Sequence, residues 1–421
     1  MAGLQEHSYI YRAFPALTHS SFRWFWGGQI ISLVGTWTQN IGQVWLVLQL
    51  TNSPFLLGLV SAMQFIPTML FSLQAGAWID RLPKRKVLIV TQSIFMILAF
   101  TLAVLVGTGA IQYWMLVTMA FILGIANTFD IPARQAFIIE LVGREHLANG
   151  IALNSAIFNG ARLIGPAIAG IIMGFWGPMW CFLINGFSFI GVLGILIFVQ
   201  AIPHGEGIMS KHKSLKGDIF DGLSYIRRTP RILVIMIMMG FLSAIAMNFN
   251  VLVPVLAKID LQEEALGYGL LMSSLGFGAL IGALTVAIRS AEGPQPRLLL
   301  VGAFGLGIFN IIVGLQNTYF SSALFLVFLG WSMIVFSASA NSLIQITVDG
   351  PYRGRVMSAY NLVFGGMIPV GSLYAGTLSD FWGAKVTFVI SGILTLIFML
   401  GIVFLLRHLR KGEHHENSGY I

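Results

Sequence analysis

The sequence predicts an all-α membrane protein of twelve transmembrane helices, arranged in two six-helix halves with both termini in the cytoplasm. Three observations support this prediction: the apolar composition, the placement of basic residues and an internal repeat. Of the 421 residues, 57% are apolar and 10% are charged, whereas ordinary soluble domains have about 25% charged residues. At about 20 residues per crossing, the apolar content fills roughly twelve crossings. Soluble enzymes and disordered chains are therefore excluded.

Twelve apolar runs of membrane length follow one another, and we number them spans 1 to 12. They cover residues 22–50, 54–79, 87–108, 112–140, 147–173, 179–201, 231–257, 266–288, 297–315, 319–347, 355–378 and 385–406. A long polar connection separates spans 6 and 7. We therefore expect five segments: a cytoplasmic N-terminal segment (1–21), an N-terminal half (22–202), a cytoplasmic linker (203–230), a C-terminal half (231–406) and a cytoplasmic tail (407–421).

The basic residues predict the orientation of these spans. The formal net charge is +8, and Lys and Arg gather in alternate connections around 80–86, 144, 203–231, 289–297 and 349–355. The opposite connections contribute only Lys258 and Lys385. Because basic connections stay in the cytoplasm, this charge orients the chain in a lipid bilayer and does not indicate a nucleic-acid partner.

The chain repeats itself at an offset of 206 residues. This offset places Gly165, Gly170 and Gly177 on Gly371, Gly376 and Gly383. Two parallel repeats imply a pseudo-two-fold axis along the membrane normal, with a substrate cavity between the halves near the midplane. Rocking of one half against the other would then open this cavity to each side in turn.

Cysteine and histidine usage gives no support for catalysis or a cofactor. The single Cys181 permits no intrachain disulfide, and no His or Cys grouping has the spacing of a metal site. The spans contain no His, and the chain has no phosphate-binding loop motif. We therefore expect no enzyme activity, no metal and no cofactor.

A glycine-and-charge motif follows span 2, and its distinctive residues are Gly76, Asp80, Arg81, Lys84 and Arg85. The run resembles the major facilitator superfamily signature Gly-x-x-x-Asp-Arg-x-Gly-Arg-Arg/Lys, although Pro83 stands where that signature has Gly. The resemblance implies a gating motif, in which the Asp accepts hydrogen bonds from the N-terminus of a facing helix. The alternative is an orientation signal whose cations reach the membrane surface.

Span 5 contains a second motif, in which Gly165 and Pro166 are followed by Gly170. It resembles the superfamily's antiporter motif Gly-x-x-x-Gly-Pro-x-x-Gly-Gly, with Ala161 and Ala169 in place of two glycines. Pro166 removes a backbone donor, and small residues let another helix pack closely. The resemblance implies an exit gate and export of substrate, and the alternative is close packing alone.

Further runs around residues 130–136, 154–166 and 353–358 are similar to one branch of the superfamily. That branch contains macrolide and multidrug exporters and enterobactin-type siderophore exporters. The resemblance covers about residues 20–405 and implies drug:proton antiport. Span 4 has Ala120 where the superfamily usually has Arg, so we assign no proton transfer to that position.

Three charged side chains are predicted at membrane depth, namely Asp130, Arg134 and Arg162. A charge there costs about 3 kcal/mol, so each is a functional hypothesis. Asp130 and Arg162 are each about 16 residues from the turn between spans 4 and 5, hence roughly 24 Å from it at about 1.5 Å per residue, and could pair. We expect proton coupling at these three residues, and the alternative is a static brace between the two spans.

Amide side chains occur in the spans that line the cavity in this superfamily and in span 5. The predicted cavity residues are Gln39, Asn40, Gln43, Asn127, Asn159, Asn248, Asn250, Asn341 and Gln345. Together with nearby aromatic rings they suit a large, partly apolar solute. The alternative for each amide is a hydrogen bond between helices.

The sequence as a whole predicts a secondary active transporter that exports an amphipathic small molecule, such as a drug, macrolide or siderophore-like compound. The alternative is a lipid or lysophospholipid transporter of the same fold. The expected partners are this small-molecule substrate, protons and the lipid bilayer. We expect a monomer in a bacterial inner (cytoplasmic) membrane.

Overall fold

The computed structural model describes residues 14–199, 215–290, 293 and 295–417, without the side chains of residues 73, 77, 80, 215–220 and 405–417. Parts of the predicted N-terminal segment, linker and tail thus lie outside the described residues. Within them the chain is helical and contains no strand, as the sequence predicts.

The helices fall on the predicted spans. Spans 1 to 6 are the helices Ser20–Thr51, Pro54–Arg81, Lys84–Gly107, Tyr113–Val142, Leu147–Trp176 and Met179–Phe198. Span 7 consists of Pro230–Ile245, Phe249–Val255 and a π-helical turn Leu256–Asp260. Spans 8 to 10 are Ala265–Ser290, Pro296–Gly314 and Tyr319–Thr347. Spans 11 and 12 lie in Arg353–Asn417 and meet at Gly383, where the backbone is not helical.

Ten helical stretches of the described chain are long and apolar enough to cross a membrane. One of them, Gly350–Phe404, contains both spans 11 and 12. Span 1 is not among the ten, because amides such as Gln39, Asn40 and Gln43 lower its hydropathy. The count of twelve crossings and the cytoplasmic termini therefore stay predictions.

Local chemistry explains where the helices begin and end. Pro54, Pro230 and Pro296 occupy the first helical position of spans 2, 7 and 9, where a missing N–H costs no hydrogen bond. Asn52 ends span 1 in the left-handed conformation at φ 50°. Gly177 ends span 5 at φ 86°, a backbone angle that glycine adopts without strain.

The connections between spans lie alternately at two ends of the bundle. We call the end with Ser20 and the helix Leu215–Arg228 the linker end, and the end with the connection 52–53 the far end. At the linker end, His19 Nε2 lies 2.9 Å from His146 Nδ1, and Tyr225 of the linker helix donates to Asp349. The sequence predicts that the linker end faces the cytoplasm.

The two halves meet along two pairs of helices, span 2 with span 11 and span 5 with span 8. Each pair crosses at glycine. A Cβ on Gly170 would lie 3.1 Å from Gly269 Cα, and one on Gly376 would lie 3.0 Å from Gly58 Cα. Gly170 and Gly376 are related by the 206-residue offset, so the internal repeat is also visible in the packing between the halves.

Candidate functional site

Asp130 of span 4 is the centre of a buried polar cluster. Its side chain accepts hydrogen bonds from Thr91 Oγ1 at 2.7 Å and Gln92 Nε2 at 2.8 Å, both on span 3. It also forms an ion pair with Arg134, one helical turn away on the same span. Arg134 in turn donates to Gln29 of span 1. These five residues, the Asp130 cluster, tie three helices of the N-terminal half together at membrane depth.

The predicted pairing of Asp130 with Arg162 is wrong. Asp130 faces span 3 inside the N-terminal half, whereas Arg162 faces the other half and donates to Met333 Sδ of span 10 at 3.4 Å. Equal height above a turn places two residues at one depth, but it does not fix the rotation of either helix about its axis. The observed partner of Asp130 is Arg134, which the sequence placed on the same helical face.

A cavity of about 100 Å³ lies between the halves. It is lined by Trp37 of span 1, Arg162 of span 5, Met247, Phe249 and Asn250 of span 7, Met272 and Leu275 of span 8, and Met333 of span 10. The guanidinium carbon of Arg162 lies 6.0 Å from the centre of the Trp37 ring. The cavity thus combines aromatic and thioether surfaces with one cation and one amide.

Of the nine predicted cavity amides, Asn250 lines this cavity. Gln39 instead accepts from Asn185 of span 6 at 2.8 Å, and Asn248 donates to Ala244 in its own span. Asn159 likewise bonds within its own helix, and Gln345 donates to Asn341 one turn away. Hydrogen bonds within one half therefore account for several of these side chains, and the cavity roles of the rest stay predictions.

The far end is closed by contacts between the halves. Asp380, at the end of span 11, accepts from Ser53 Oγ at 2.8 Å and from the backbone N–H of Phe55 at 3.2 Å. Both donors lie at the N-terminus of span 2, where unpaired N–H groups favour a carboxylate. Lys258 of span 7 donates to the carbonyl oxygen of Leu48 and to Asn52 Oδ1, at the end of span 1.

Aromatic stacking extends this closure towards the midplane. Trp45 of span 1 stacks on Tyr268 of span 8, with ring centres 5.6 Å apart and planes 13° from parallel. Both side chains are almost fully buried. These buried rings therefore join span 1 to span 8 across the interface between the halves.

The predicted gating motif lies at the linker end, and its members have different surroundings. Within the part of the chain that the structure describes, a Cβ on Gly76 would have no atom within 4 Å. Arg85 donates through Nε to the carbonyl of Leu196 at 2.6 Å and through its second nitrogen to Ile197, so it caps the end of span 6. Arg81 and Lys84 flank the turn between spans 2 and 3, and the Asp80 side chain lies outside the described residues.

The predicted exit-gate motif lies at a crossing of three helices. Gly165 packs against span 1, and Thr38 of that span donates to its carbonyl oxygen at 3.3 Å. Pro166 is buried within an uninterrupted helix, and its carbonyl would lie 2.5 Å from a Cβ on Gly269 of span 8. Gly170 continues this contact. The motif therefore brings the halves close together, as small residues do in membranes.

Asp380 was not predicted as a site residue, although the sequence contains a signal for it. An offset of 300 residues aligns Gly76, Asp80 and Arg85 with Gly376, Asp380 and Lys385. Spans 2 and 11 pack together and run in opposite directions, so one pattern lies at opposite ends of the bundle. The parallel repeat at 206 residues hides this relation, because it aligns Asp380 with Gly174.

The fold and the interface between the halves define a multi-pass membrane transporter of the major facilitator type. The profile of the transmembrane secretion effector family matches residues 12–419, and the chain belongs to this family. It is a transporter of small molecules and not an enzyme.

Three relatives match almost the whole chain. Macrolide efflux protein A of Streptococcus pyogenes is 24% identical, over 91% of this chain and 94% of the relative. The staphyloferrin A transporter of Staphylococcus aureus is 27% identical, over 94% of this chain and 99% of the relative. The enterobactin exporter EntS of Citrobacter koseri is 24% identical, over 94% of each chain.

Solved structures confirm the fold. The nucleoside transporter NupG superimposes with a TM-score of 0.74 at 11% identity, over 92% of this chain and 99% of that one. A bacterial homologue of the human lysosomal transporter Spinster, in an inward-facing and unoccupied conformation, gives 0.74 at 12% identity, over 95% and 97%. At such identities the likeness concerns the fold alone.

Proposed function

We propose that the protein exports an amphipathic small molecule across a bacterial inner membrane by alternating access, as a monomeric proton antiporter. The observation that carries this proposal is the cavity between two halves whose far ends are held together. A substrate would enter the cavity from the linker end, which the positive-inside rule places in the cytoplasm. Relatives named as macrolide and siderophore exporters favour this function over the lipid-transporter alternative.

The two related patterns on spans 2 and 11 suggest how the halves would alternate. With the far end closed, Asp380 caps span 2 and Gly376 packs on Gly58. With the linker end closed, Asp80 would cap the N-terminus of span 11, and Gly76 would gain a neighbour. Each state would thus be held by a carboxylate on a helix terminus.

The Asp130 cluster is our candidate for proton coupling. Its carboxylate is buried at 2% exposure and compensated by Arg134. All five residues of the cluster belong to the N-terminal half, so coupling at Asp130 requires spans 1, 3 and 4 to shift against one another while the halves rock. A shift that separated Gln29 from Arg134 would disturb the Asp130–Arg134 ion pair. Arg162 does not contact Asp130 and has a different role in this proposal.

The test measures proton movement in inverted membrane vesicles that hold an imposed pH gradient. Addition of a transported compound, from a panel of erythromycin, enterobactin and staphyloferrin A, should release protons in the wild type. The Asp130→Asn variant should lose this release while binding of the compound persists. Asp349→Asn is the matched control, because Asp349 bonds to Tyr225 at the linker end, away from the cavity. Full proton release by well-expressed Asp130→Asn would contradict the coupling role.

A further inference from the structure

Among the described residues, the cation in the cavity has no anionic partner. The two described contacts of the Arg162 guanidinium are Met333 Sδ and the face of Trp37. None of the described residues that line the cavity is acidic. The carboxylate at comparable depth, Asp130, is already engaged by Thr91, Gln92 and Arg134.

Arg162 also lies where a transporter of this fold holds its substrate. It is 15 residues after the start and 14 residues before the end of the helix Leu147–Trp176. At about 1.5 Å per residue, this places it roughly 22 Å from either helix end. Met333 is likewise 14 residues from each end of Tyr319–Thr347. The side chain therefore cannot be reached by lipid head groups at the membrane surface.

An uncompensated cation at this depth is costly, and it is retained where it binds or moves something. A guanidinium presents a planar fork of donors that matches a carboxylate with two parallel hydrogen bonds. The thioether of Met333 is only a weak acceptor, so a carboxylate would replace it at little cost. The aromatic and Met side chains around the fork suit an irregular apolar body.

We infer that Arg162 is the anion-binding residue of the substrate site, and that the transported molecules are amphipathic carboxylates. Trp37 and the Met side chains contact the apolar body, and Asn250 offers an amide to a further polar group. This inference rests on the proposed export function and specifies its substrate class. It favours carboxylate-bearing, siderophore-like compounds over cationic drugs.

Binding to the full-length protein in lipid nanodiscs tests this assignment by calorimetry. The probes are three matched pairs: 1-naphthylacetate and 1-naphthylacetamide, indole-3-acetate and indole-3-acetamide, decanoate and decanamide. We expect the wild type to prefer the carboxylate of at least one pair by roughly tenfold or more, the worth of a charge-assisted hydrogen bond. Arg162→Gln should abolish the preference, and Arg162→Lys should keep part of it, since a point charge lacks the fork.

Arg297→Gln is the matched control, because it removes one positive charge from an exposed position at the start of span 9. It should keep the full preference. Inorganic phosphate, tested alone as a competitor, should displace the carboxylates weakly because it lacks an apolar body. Wild-type protein without a carboxylate preference in any pair, or a preference that survives in folded Arg162→Gln, would overturn the assignment.

The same preparation separates this inference from the export proposal. If the wild type shows no preference for carboxylates but erythromycin still drives proton release, the assigned substrate class is wrong and the export proposal stands. If the carboxylate preference depends on Arg162 but no compound of the panel drives proton release, the antiport proposal is wrong and the assigned substrate class stands.

Discussion

The two ends of the bundle carry the same sequence pattern but differ in their contacts. At the far end, Gly376 lies against the backbone of Pro54 and Gly58, and Asp380 caps span 2. At the linker end, no atom of the described residues lies within 4 Å of a Cβ placed on the matching Gly76. The difference indicates that the glycine of this pattern serves close helix packing at the far end, where the halves meet.

The largest expected change in the separation of the halves at the far end comes from a bulky side chain where spans 2 and 11 cross. A Cβ on Gly376 would lie 2.8 Å from the carbonyl oxygen of Pro54 and 3.0 Å from Gly58 Cα. Because these atoms are backbone, Gly376→Val should force the far end apart, at about 1–3 kcal/mol of overpacking. Transport should fall roughly tenfold or more.

The measurement is the distance between spin labels at the far end, on Ala110→Cys and Leu315→Cys, which lie in opposite halves. Cys181 is fully buried, so the introduced pair alone would be labelled. Gly376→Val should lengthen the distance, whereas the control Gly76→Val should leave it unchanged. An equal response of both variants would refute the difference between the ends.

A smaller effect is expected when the charge of the far-end cap is removed. Asp380→Asn keeps the shape of the side chain but weakens its bonds to Ser53 and to the Phe55 N–H. Loss of a helix cap costs about 0.5–2 kcal/mol, so the population with a short label distance should decrease. Asp349→Asn, at the other end, is the control. A distance distribution identical to that of the wild type would show that the far end closes without the charge of Asp380.

Lys258→Met should weaken the closure of the far end less than Asp380→Asn does. It removes the donor to Leu48 O and Asn52 Oδ1 at the carboxyl end of span 1, a contribution of about 0.3–1 kcal/mol. Lys385→Met is a matched control, because Lys385 donates to Asn317 within its own half. The rate at which a thiol reagent reaches Tyr268→Cys should rise in the first variant only. A similar rise in both would assign the effect to surface charge.

The smallest expected effect is a change with pH in the local stability of the linker end. Burial, followed by the neighbouring His146, lowers the pKa of His19 below its ordinary value of 6.5, while Glu145 opposes this shift. The unfolded chain therefore binds the proton more readily, and the local stability falls as the pH drops below about 6.5. The protection of residues 15–22 against hydrogen exchange, after correction for the slower intrinsic exchange at low pH, should be smaller at pH 5.5 than at pH 7, and the decrease should be smaller in His146→Gln. The far-end distance should not change, because both histidines belong to one half.

The sequence predicted the apolar spans and their order well, because membrane length and composition are strong signals. It could not predict rotations, since a helix that is apolar on all sides gives no stripe that marks its inner face. For this reason the sequence predicts Asp130 beside Arg162, whereas the structure places it beside Thr91 and Gln92. The break of span 7 before Phe249 was missed for a related reason, because neither Gly nor Pro marks it.

The site was predicted in outline only. Arg162 was singled out by its charge at membrane depth, but its place in the cavity depends on Met333, which lies 171 residues away. Asp380 was not predicted, because the 206-residue repeat relates parallel halves, whereas its counterpart Asp80 lies on an oppositely directed helix. Contacts between distant spans depend on tertiary packing, and local sequence does not encode them.

The linker helix, Leu215–Arg228, packs on the C-terminal half and so belongs structurally to that half. Leu215–Arg228 is fastened to the C-terminal half by Tyr225, which bonds to Asp349 and stacks on Tyr352 with ring centres 4.4 Å apart. A gene split just before Leu215 would therefore give two fragments, and the helix would stay with the half that holds it. Co-expression of the fragments should reassemble a working pair. A split after Arg228 would instead leave the helix tethered to the wrong fragment.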